Sequence, residues 1–438
     1  MSRIADIAAA LAGYDPKALS VDGVQAFLAE LVAPAILRER ERVPLFEALG
    51  RVLAEDVVSP FNVPPHDNSA MDGFAFDGAV LDTPSSGFVS LRVAGTAFAG
   101  TARHGALTRG DALKIMTGAV MPAGFDTVVP QEFCTVDGDT VRFPANALRP
   151  GDNRRFAGED LRQGLPALLQ GERLTPAGLG LLASLGQAEA PVLRRLRVAY
   201  FSTGDEILSL GEPPREGAVY DSNRYTVFGL LTRLGCQVVD LGMVRDDPAA
   251  LADALTDAAE RADAIITSGG VSVGEADHTR AVMKQLGDMA FWRVAMRPGR
   301  PMAVGLIPRS SAGDAHEGAA VLFGLPGNPV AVMVTFLAFV RPALLRLMGC
   351  NAANAAPPPM LRARSVAPIR KKPGRTEYQR GRVTCLPGAL PEVRIAGNQG
   401  SGVLSSMVEG NGLVVLHHAQ GSVAPGDEVD VMMFDGVV

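Results

Sequence analysis

Cysteine is scarce in this sequence. The four in 438 residues, Cys134, Cys236, Cys350 and Cys385, are too far apart for a disulfide framework or for the close ligand pairs of a structural zinc site, and are expected to be ordinary buried thiols. Charge is sparse as well: 20% of residues are charged and the formal net charge is -6, which argues against binding to nucleic acid phosphates. Long apolar runs are missing. The longest, "PVAVMVTFLAFV" from Pro329 to Val340, stops at Arg341 and falls short of the roughly 20 residues a membrane span needs, so it reads as a buried helix. The first residues, "MSRIADIAAALAGYDPK", set Asp6 inside a weakly apolar run and hold no signal-peptide core. The expectation is a cytoplasmic protein with neither a membrane nor a nucleic acid as partner.

What is present is length and apolar content. At 438 residues and 47% hydrophobic, the chain exceeds what one core usually organises and reads as a multidomain globular protein. Residues 194–350 have the clearest rhythm. "RLRVAYFSTGDE" is a buried strand ending in a turn, and "YDSNRYTVFGLLTRLG" is a helix capped by Asp221 or Ser222 and stopped at Gly235. "CQVVDLG" is a strand, "DPAALADALTDAAER" a helix opened by Asp247-Pro248, and "DAIITSGG" a third strand. Strands alternating with helices imply right-handed crossovers and a central parallel-sheet α/β domain whose ligands sit at the carboxyl ends of the strands. Residues 61–150 carry short β runs with turn signals, among them a hairpin at Asp137-Gly138, and predict an inserted small β domain. Residues 20–60 and 151–193 read as one discontinuous helical linking domain, and residues 359–438, after the linker-like "NAANAAPPP", as a C-terminal sheet or barrel.

The loop "TSGGVSVGEADHT", 267–279, follows the third strand. Its glycines expose backbone N–H groups beside a helix N-terminus, an arrangement that attracts phosphate. It has neither the Gly-Lys-Ser/Thr of a P-loop nor the G-x-G-x-x-G of a dinucleotide fold, so triphosphatase and dehydrogenase chemistry are disfavoured. Glu275 and Asp277 in this loop are as well explained by helix capping as by function, but acids recur at other turns: Asp72, Asp160, Glu206 and Asp246. Two such carboxylates about 4 Å apart would repel by roughly 4 kcal/mol at a surface-like dielectric. A magnesium ion would relieve that repulsion while bridging carboxylates to a phosphate. Arg297 and Arg300 flank a Pro-Gly turn that would hold both guanidiniums toward an oxyanion, whereas the basic run 371–382 reads chiefly as a solvated face. "GLPGNP" reads as a rigid turn or a simple break before the apolar helix.

"DNSAMDGFAF", "GDNRRFAGED", "STGDEI", "TSGGVSVGEADHT", "RPGRP" and "LFGLPGNPVAV" occur in this order, and the chain from about residue 20 onward resembles the MoeA-type molybdopterin molybdenumtransferases, the family that includes the large domain of gephyrin. The resemblance implies an enzyme that takes adenylated molybdopterin and molybdate, cleaves the adenylate with Mg2+, and releases molybdenum cofactor and AMP. It further implies a homodimer of elongated four-domain subunits whose active site draws on both.

By motif, the resemblance assigns activity to Asp72, Thr117, Asp160, Glu206, Asp246 and Asp277, with Glu206, Asp246 and Asp277 as metal ligands. It places Ser202, Thr203, Gly204, Ser268, Gly269, Gly270, Ser272, Gly274, Pro326 and Pro329 around the pterin adenylate, and Arg297, Arg300, Arg375 and Ser401 around the oxyanion. Arg297 and Arg300 stand where the family commonly has two lysines. A molybdopterin adenylyltransferase, which would need only the central domain, and a gephyrin-like non-enzymatic scaffold are the alternatives. An adenylyltransferase and cofactor-accepting proteins are the partners the resemblance implies beyond a second copy.

Overall fold

The computed structural model describes residues 3–82, 87–100, 107–270, 277–309, 318–385 and 387–435. Two compact units emerge, one of Met1–Glu55, Gln170–Pro176 and Glu189–Val438, the other of Asp56–Leu169 and Ala177–Ala188.

The larger unit is organised by a six-stranded sheet. Its elements are β1 (Arg197–Thr203), α1 (Ser222–Leu234), β2 (Gln237–Val244), α2 (Pro248–Arg261), β3 (Ala264–Ser268), α3 (Asp277–Leu286), β4 (Asp288–Arg293), β5 (Pro301–Ile307) and β6 (Ala320–Leu325), with strand order β2-β1-β3-β6-β5-β4. β2, β1, β3 and β6 run parallel. β5 is antiparallel to β6, and β4 to β5. The sequence reading of a parallel sheet thus covers the centre, and an antiparallel pair extends one edge.

β3 and β6 are buried at every residue and β1 at all but the first, the pattern of strands covered on both faces. Alternation sorts their side chains: Val198, Tyr200, Ile266 and Phe323 pack into a core shared with α1, while Ala199, Phe201, Ile265 and Leu322 pack against Leu251, Leu255 and Ala258 of α2. Local chemistry fixes the helix ends. Asp221 accepts the Arg224 N–H at 3.1 Å, Gly235 closes α1 at φ 94°, and Asp247 accepts from Ala249 and Ala250 ahead of Pro248.

The apolar run becomes helix α4, Pro329–Leu347, which is long and apolar enough to cross a membrane but is 83% buried inside the protein, as a core helix would be. Pro342 has no N–H to give Ala338, and the Ala338 carbonyl accepts instead from Gln25 Nε2 at 3.0 Å. A π turn spans Phe336–Val340 just ahead.

Beyond α4, β7 (Leu361–Ser365), β8 (Thr376–Thr384), β9 (Glu392–Ile395), β10 (Gly412–Leu416) and β11 (Glu428–Met433) pair in the order β8-β9-β7-β11-β10, and β8 also pairs with β10. That closes a five-stranded barrel over Ala363, Val383, Val393, Val414 and Val431. A two-residue strand, Met296–Arg297, lies parallel to Thr376–Glu377 and ties the barrel to the loop between β4 and β5.

The smaller unit holds a second six-stranded sheet, with Thr127–Pro130, Gly73–Phe76, Asp111–Ile115, Phe88–Ala97, Thr140–Pro144 and Thr135–Asp137 side by side. Phe74, Phe76 and Phe143 form one small core and Ala75, Leu113 and Ile115 another, with Asp137-Gly138 turning a hairpin. The stretches expected to be helical are mixed. Val21–Val32 and Pro176–Ser184 are helices, but Arg40–Pro44 pairs with Glu189–Leu193, and Val57–Val58 with Pro166–Leu168. These runs are too short for two helical turns and satisfy their backbone by pairing. Cys236 is buried, and its burial pushes the thiol up to about 12, while Cys385 is exposed, contrary to the expectation of buried thiols throughout.

Candidate functional site

The carboxyl ends of β1, β3 and β6 open into a cleft of about 930 Å³ within the larger unit. Ser202 and Thr203 come from β1, Ser268, Gly269 and Gly270 from the end of β3, and Pro326 to Pro329 from the turn between β6 and α4. The Tyr200 hydroxyl sits below them, 2.8 Å from Ser202 Oγ and 2.7 Å from Ser268 Oγ, and burial raises its pKa, so it stays protonated. Asn223 donates to the Gly327 carbonyl at 2.8 Å and joins α1 to the Pro-Gly turn. Gly269 has φ 94° and an added Cβ would lie 2.3 Å from the Thr203 carbonyl, so only glycine lets these two strand ends approach so closely. Thr203 Oγ1, Asp221 Oδ2 and Asn223 Oδ1 are buried here without a hydrogen-bond partner among the described residues. Such atoms are costly to leave unpaired and are often satisfied by a ligand or water.

The facing wall is cationic. Arg297 and Arg300 are exposed on the cleft around Pro298-Gly299, where Gly299 (φ 93°) would bring a Cβ within 2.5 Å of Thr335 Cγ2. The Val294 amide donates to the Arg300 carbonyl at 2.7 Å and closes this loop. Neither guanidinium meets a carboxylate among the described residues. Arg375 reaches the cleft from the barrel, but its Nη2 lies 2.7 Å from Oε1 of Glu377, a carboxylate only 3% exposed. Ser401 lines the cleft, and its carbonyl accepts the Val330 amide at 3.0 Å, seating its loop on the first turn of α4.

Glu206 is the acid of the predicted set that borders this cleft, its carboxylate lying over Gly204. Asp246 is exposed and accepts the Thr279 hydroxyl at 3.1 Å. Asp277 begins α3, but its side chain, Ser272 and Gly274 lie outside the described residues. No three acids, histidines or cysteines converge into a metal site among the described residues. A single cleft carboxylate such as Glu206 fits magnesium, which is commonly held by one or two carboxylates plus substrate phosphates and water.

Asp72, Thr117 and Asp160 belong to the smaller unit and do not line this cleft. Asp72 Oδ1 accepts both the Thr117 amide and its hydroxyl at 2.7 Å, and these bonds hold the carboxyl below its usual range. Asp160 is exposed.

Sequence reasoning read Asp221 only as a cap and passed over Asn223, Tyr200 and Gln399, which border or underlie the cleft. It also took 371–382 as a solvated face, yet Lys371, Glu377 and Arg380 are buried, at 6%, 2% and 1% exposure. Glu377 shares the barrel-core face of β8 with Val383, whereas Arg380 lies on the opposite face beneath Ser406 and the Asn398–Gly400 carbonyls, and the Lys371 ammonium donates to the His418 and Gln420 carbonyls. Charge patterning could not have revealed this. The alternation of Glu377 and Gln379 within "TEYQRGR" was the available hint of a strand.

Comparison with known proteins places these features. Residues 19–186 match the MoeA N-terminal region (domain I and II), 199–346 a probable molybdopterin binding domain, and 362–434 the MoeA C-terminal region (domain IV). The molybdopterin molybdenumtransferase of Haemophilus influenzae is 41% identical over 91% of this chain and 94% of its own length, and that of Nostoc 35% identical over 90% and 89%. A crystal structure of the molybdopterin biosynthesis MoeA protein from Pyrococcus horikoshii superposes with a TM-score of 0.75 at 26% identity, covering 95% of this chain and 100% of the other. With the sheet, the barrel and the cleft between them accounted for, the chain belongs to the MoeA family of molybdopterin molybdenumtransferases.

Proposed function

We propose that the cleft transfers molybdenum from molybdate to molybdopterin supplied as its adenylate, releasing AMP. The observation that carries this reading is the pairing, in one cleft, of a Gly-rich strand-end wall with the guanidiniums of Arg297 and Arg300, which meet no carboxylate among the described residues. The Gly269 N–H is donated to the Leu325 carbonyl at 3.2 Å, and the backbone N–H of Gly270 beside it suits the phosphate of the adenylate. Guanidiniums suit a tetrahedral dianion, whose oxygens each fork can take in parallel hydrogen bonds. The unbonded acceptors Asp221 Oδ2 and Asn223 Oδ1 suit an N–H-rich heterocycle such as a pterin.

Mg2+, held by Glu206 with Asp246 and Asp277, would neutralise phosphate charge during adenylate cleavage. The chain's own groups orient the substrates: Arg297, Arg300 and Ser401 hold molybdate, and the strand-end hydroxyls and glycines hold the pterin adenylate. Incubation with adenylated molybdopterin, Mg2+ and molybdate, followed by mass analysis of the pterin, should give a molybdenum-bearing product with AMP. A folded Glu206→Ala variant should release AMP at least about a hundredfold more slowly, a loss typical of removing a group that stabilises transition-state charge. Unchanged turnover by that variant would remove Glu206 from the reaction.

The working form in this reading is a cytoplasmic homodimer in which Asp72, Thr117 and Asp160 of one copy complete the cleft of the other. Exposed apolar side chains beside the cleft, Leu210, Val219, Tyr220, Tyr225 and Phe228, supply a surface for such a contact. Light scattering should give twice the chain mass. Mixing inactive Asp72→Ala and Glu206→Ala proteins should regain activity, since a mixed dimer keeps one intact site. A monomer, or a mixture that stays inactive after subunit exchange, would rule out the shared site.

A further inference from the structure

Arg380 is the largest fully buried side chain among the described residues, 1% exposed in the middle of β8. Its guanidinium donates to Ser406 Oγ at 2.9 Å, to the Asn398 carbonyl at 3.1 Å and to the Gly400 carbonyl at 3.0 Å. These partners are neutral, and no carboxylate pairs with it among the described residues. Buried arginines elsewhere in the same unit are treated differently: Arg51 pairs with Glu41, and Arg194 with both Glu39 and Asp263. A buried cation without a counter-charge is expensive to maintain, so its retention calls for a reason.

The reason lies in what Arg380 supports. Asn398 to Ser401 form the turn that carries Gln399 and Ser401 to the cleft. Gln399 is bound to the Arg380 backbone in both directions, accepting its amide at 2.9 Å and donating to its carbonyl at 3.1 Å. Arg380 therefore stands directly behind the oxyanion wall. Burial lowers its pKa and the nearby Arg297 charge pushes the same way, which marks the two cations as electrostatic neighbours. Arg375 is matched by Glu377, whereas Arg297, Arg300 and Arg380 on this side of the cleft have no carboxylate partner among the described residues.

We propose that Arg380 is a positioning residue for the oxyanion: it fixes the Asn398–Ser401 turn and supplies a buried charge whose counter-ion is the bound dianion itself. This rests on the reading of the cleft as a molybdate site, and it adds a cation that never touches the substrate. Affinity should then depend on the charge at position 380 as well as on its hydrogen bonds.

The test is titration of the full chain with molybdate alone, by calorimetry, for the wild type, Arg380→Lys and Arg380→Gln, at low and at high salt. Arg380→Lys keeps the charge and should bind within about threefold of the wild type. Arg380→Gln keeps some donors and loses the charge, and should bind about tenfold more weakly. That factor should shrink less with salt than the effect of an exposed charge, because the group is buried. Equal affinity of Arg380→Gln and the wild type, or equal losses in both variants, would overturn the role of the charge.

If Arg380→Gln fails to fold, Arg380→Lys carries the test through pH. A buried ammonium loses its proton early, so its molybdate affinity should fall between about pH 8 and 10 while that of the wild type falls less. Parallel profiles would overturn the proposal. A wild type that binds no molybdate would instead refute the reading of the cleft, leaving the two failures distinguishable.

Discussion

The two ends of the central sheet treat arginine in opposite ways. At the amino ends, Arg194 is forked onto Asp263 at 2.7 and 2.8 Å and onto Glu39, and Arg309 reaches Asp263 from the end of β5. The same carboxylate also accepts the Arg197 amide at 2.9 Å, so one aspartate stitches three segments together. At the carboxyl ends, Arg297 and Arg300 face the cleft without a carboxylate among the described residues, and Arg380 is buried behind them with only neutral partners among those residues. One end completes its electrostatics within the chain; at the other, on the proposed reading, a bound anion would complete them. The contrast separates charge paired within the fold from charge left facing the cleft.

The largest effect expected from testing this contrast is at the paired end. Asp263→Ala would leave Arg194 and the Arg197 amide short of an acceptor in a half-buried setting, and breaking a buried pair from one side costs about 3–5 kcal/mol. Denaturant unfolding should reveal that loss, with the molybdate half-saturation of the folded fraction unchanged. The same residue predicts an acid response. Burial alone would raise the Asp263 carboxyl, but Arg194, the Arg197 amide and Arg309 hold it below the usual range. A group with a lowered folded pKa contributes stability above its unfolded value of about 3.9, and that contribution is lost as pH falls through the folded value. The wild type should therefore lose stability on acidification below about pH 4, and Asp263→Asn should lose less over the same interval.

At the open end the expected signs reverse. Arg300→Ala should raise the molybdate concentration needed for half-maximal product formation about tenfold, equivalent to about 1.4 kcal/mol. Its unfolding midpoint should stay within about 0.5 kcal/mol of the wild type, as for other surface changes. Arg300→Lys should shift half-saturation about threefold, since it keeps the charge and loses the fork. Destabilisation by Arg300→Ala as great as by Asp263→Ala would erase the distinction between the two ends.

Legibility followed the range of the forces involved. The helix from Asp221 to Gly235 and the one opened by Asp247-Pro248 could be bounded because their caps are local chemistry, written in adjacent residues. The buried strands β1 and β3 could be found because burial on both faces makes continuous apolar runs. Arg297 and Arg300 were picked out as a pair because a Pro-Gly turn constrains its flanks. Arg380 could not be, since its burial depends on the Asn398–Gly400 turn and Ser406, about twenty residues on, folding back over the outer face of β8. The pairing of Arg40–Pro44 with Glu189–Leu193 was hidden for the same reason, its partner lying beyond the whole inserted unit.

The short pairing of Met296–Arg297 with the start of β8 has a consequence for how the protein can be divided. Arg297 and Arg300 are encoded in the α/β region, whereas Arg375, Gln399 and Ser401 come from the barrel, and the cleft is lined by both. A polypeptide ending after α4 would retain the sheet and its glycine-rich turns, yet lose one bank of the groove and the strand against which Arg297 is registered. The cleft is a property of the joint rather than of either half, and a split at that point would also cut a shared core, since Tyr378, Met407, Leu413 and Val415 pack together with residues of α4 and the sheet.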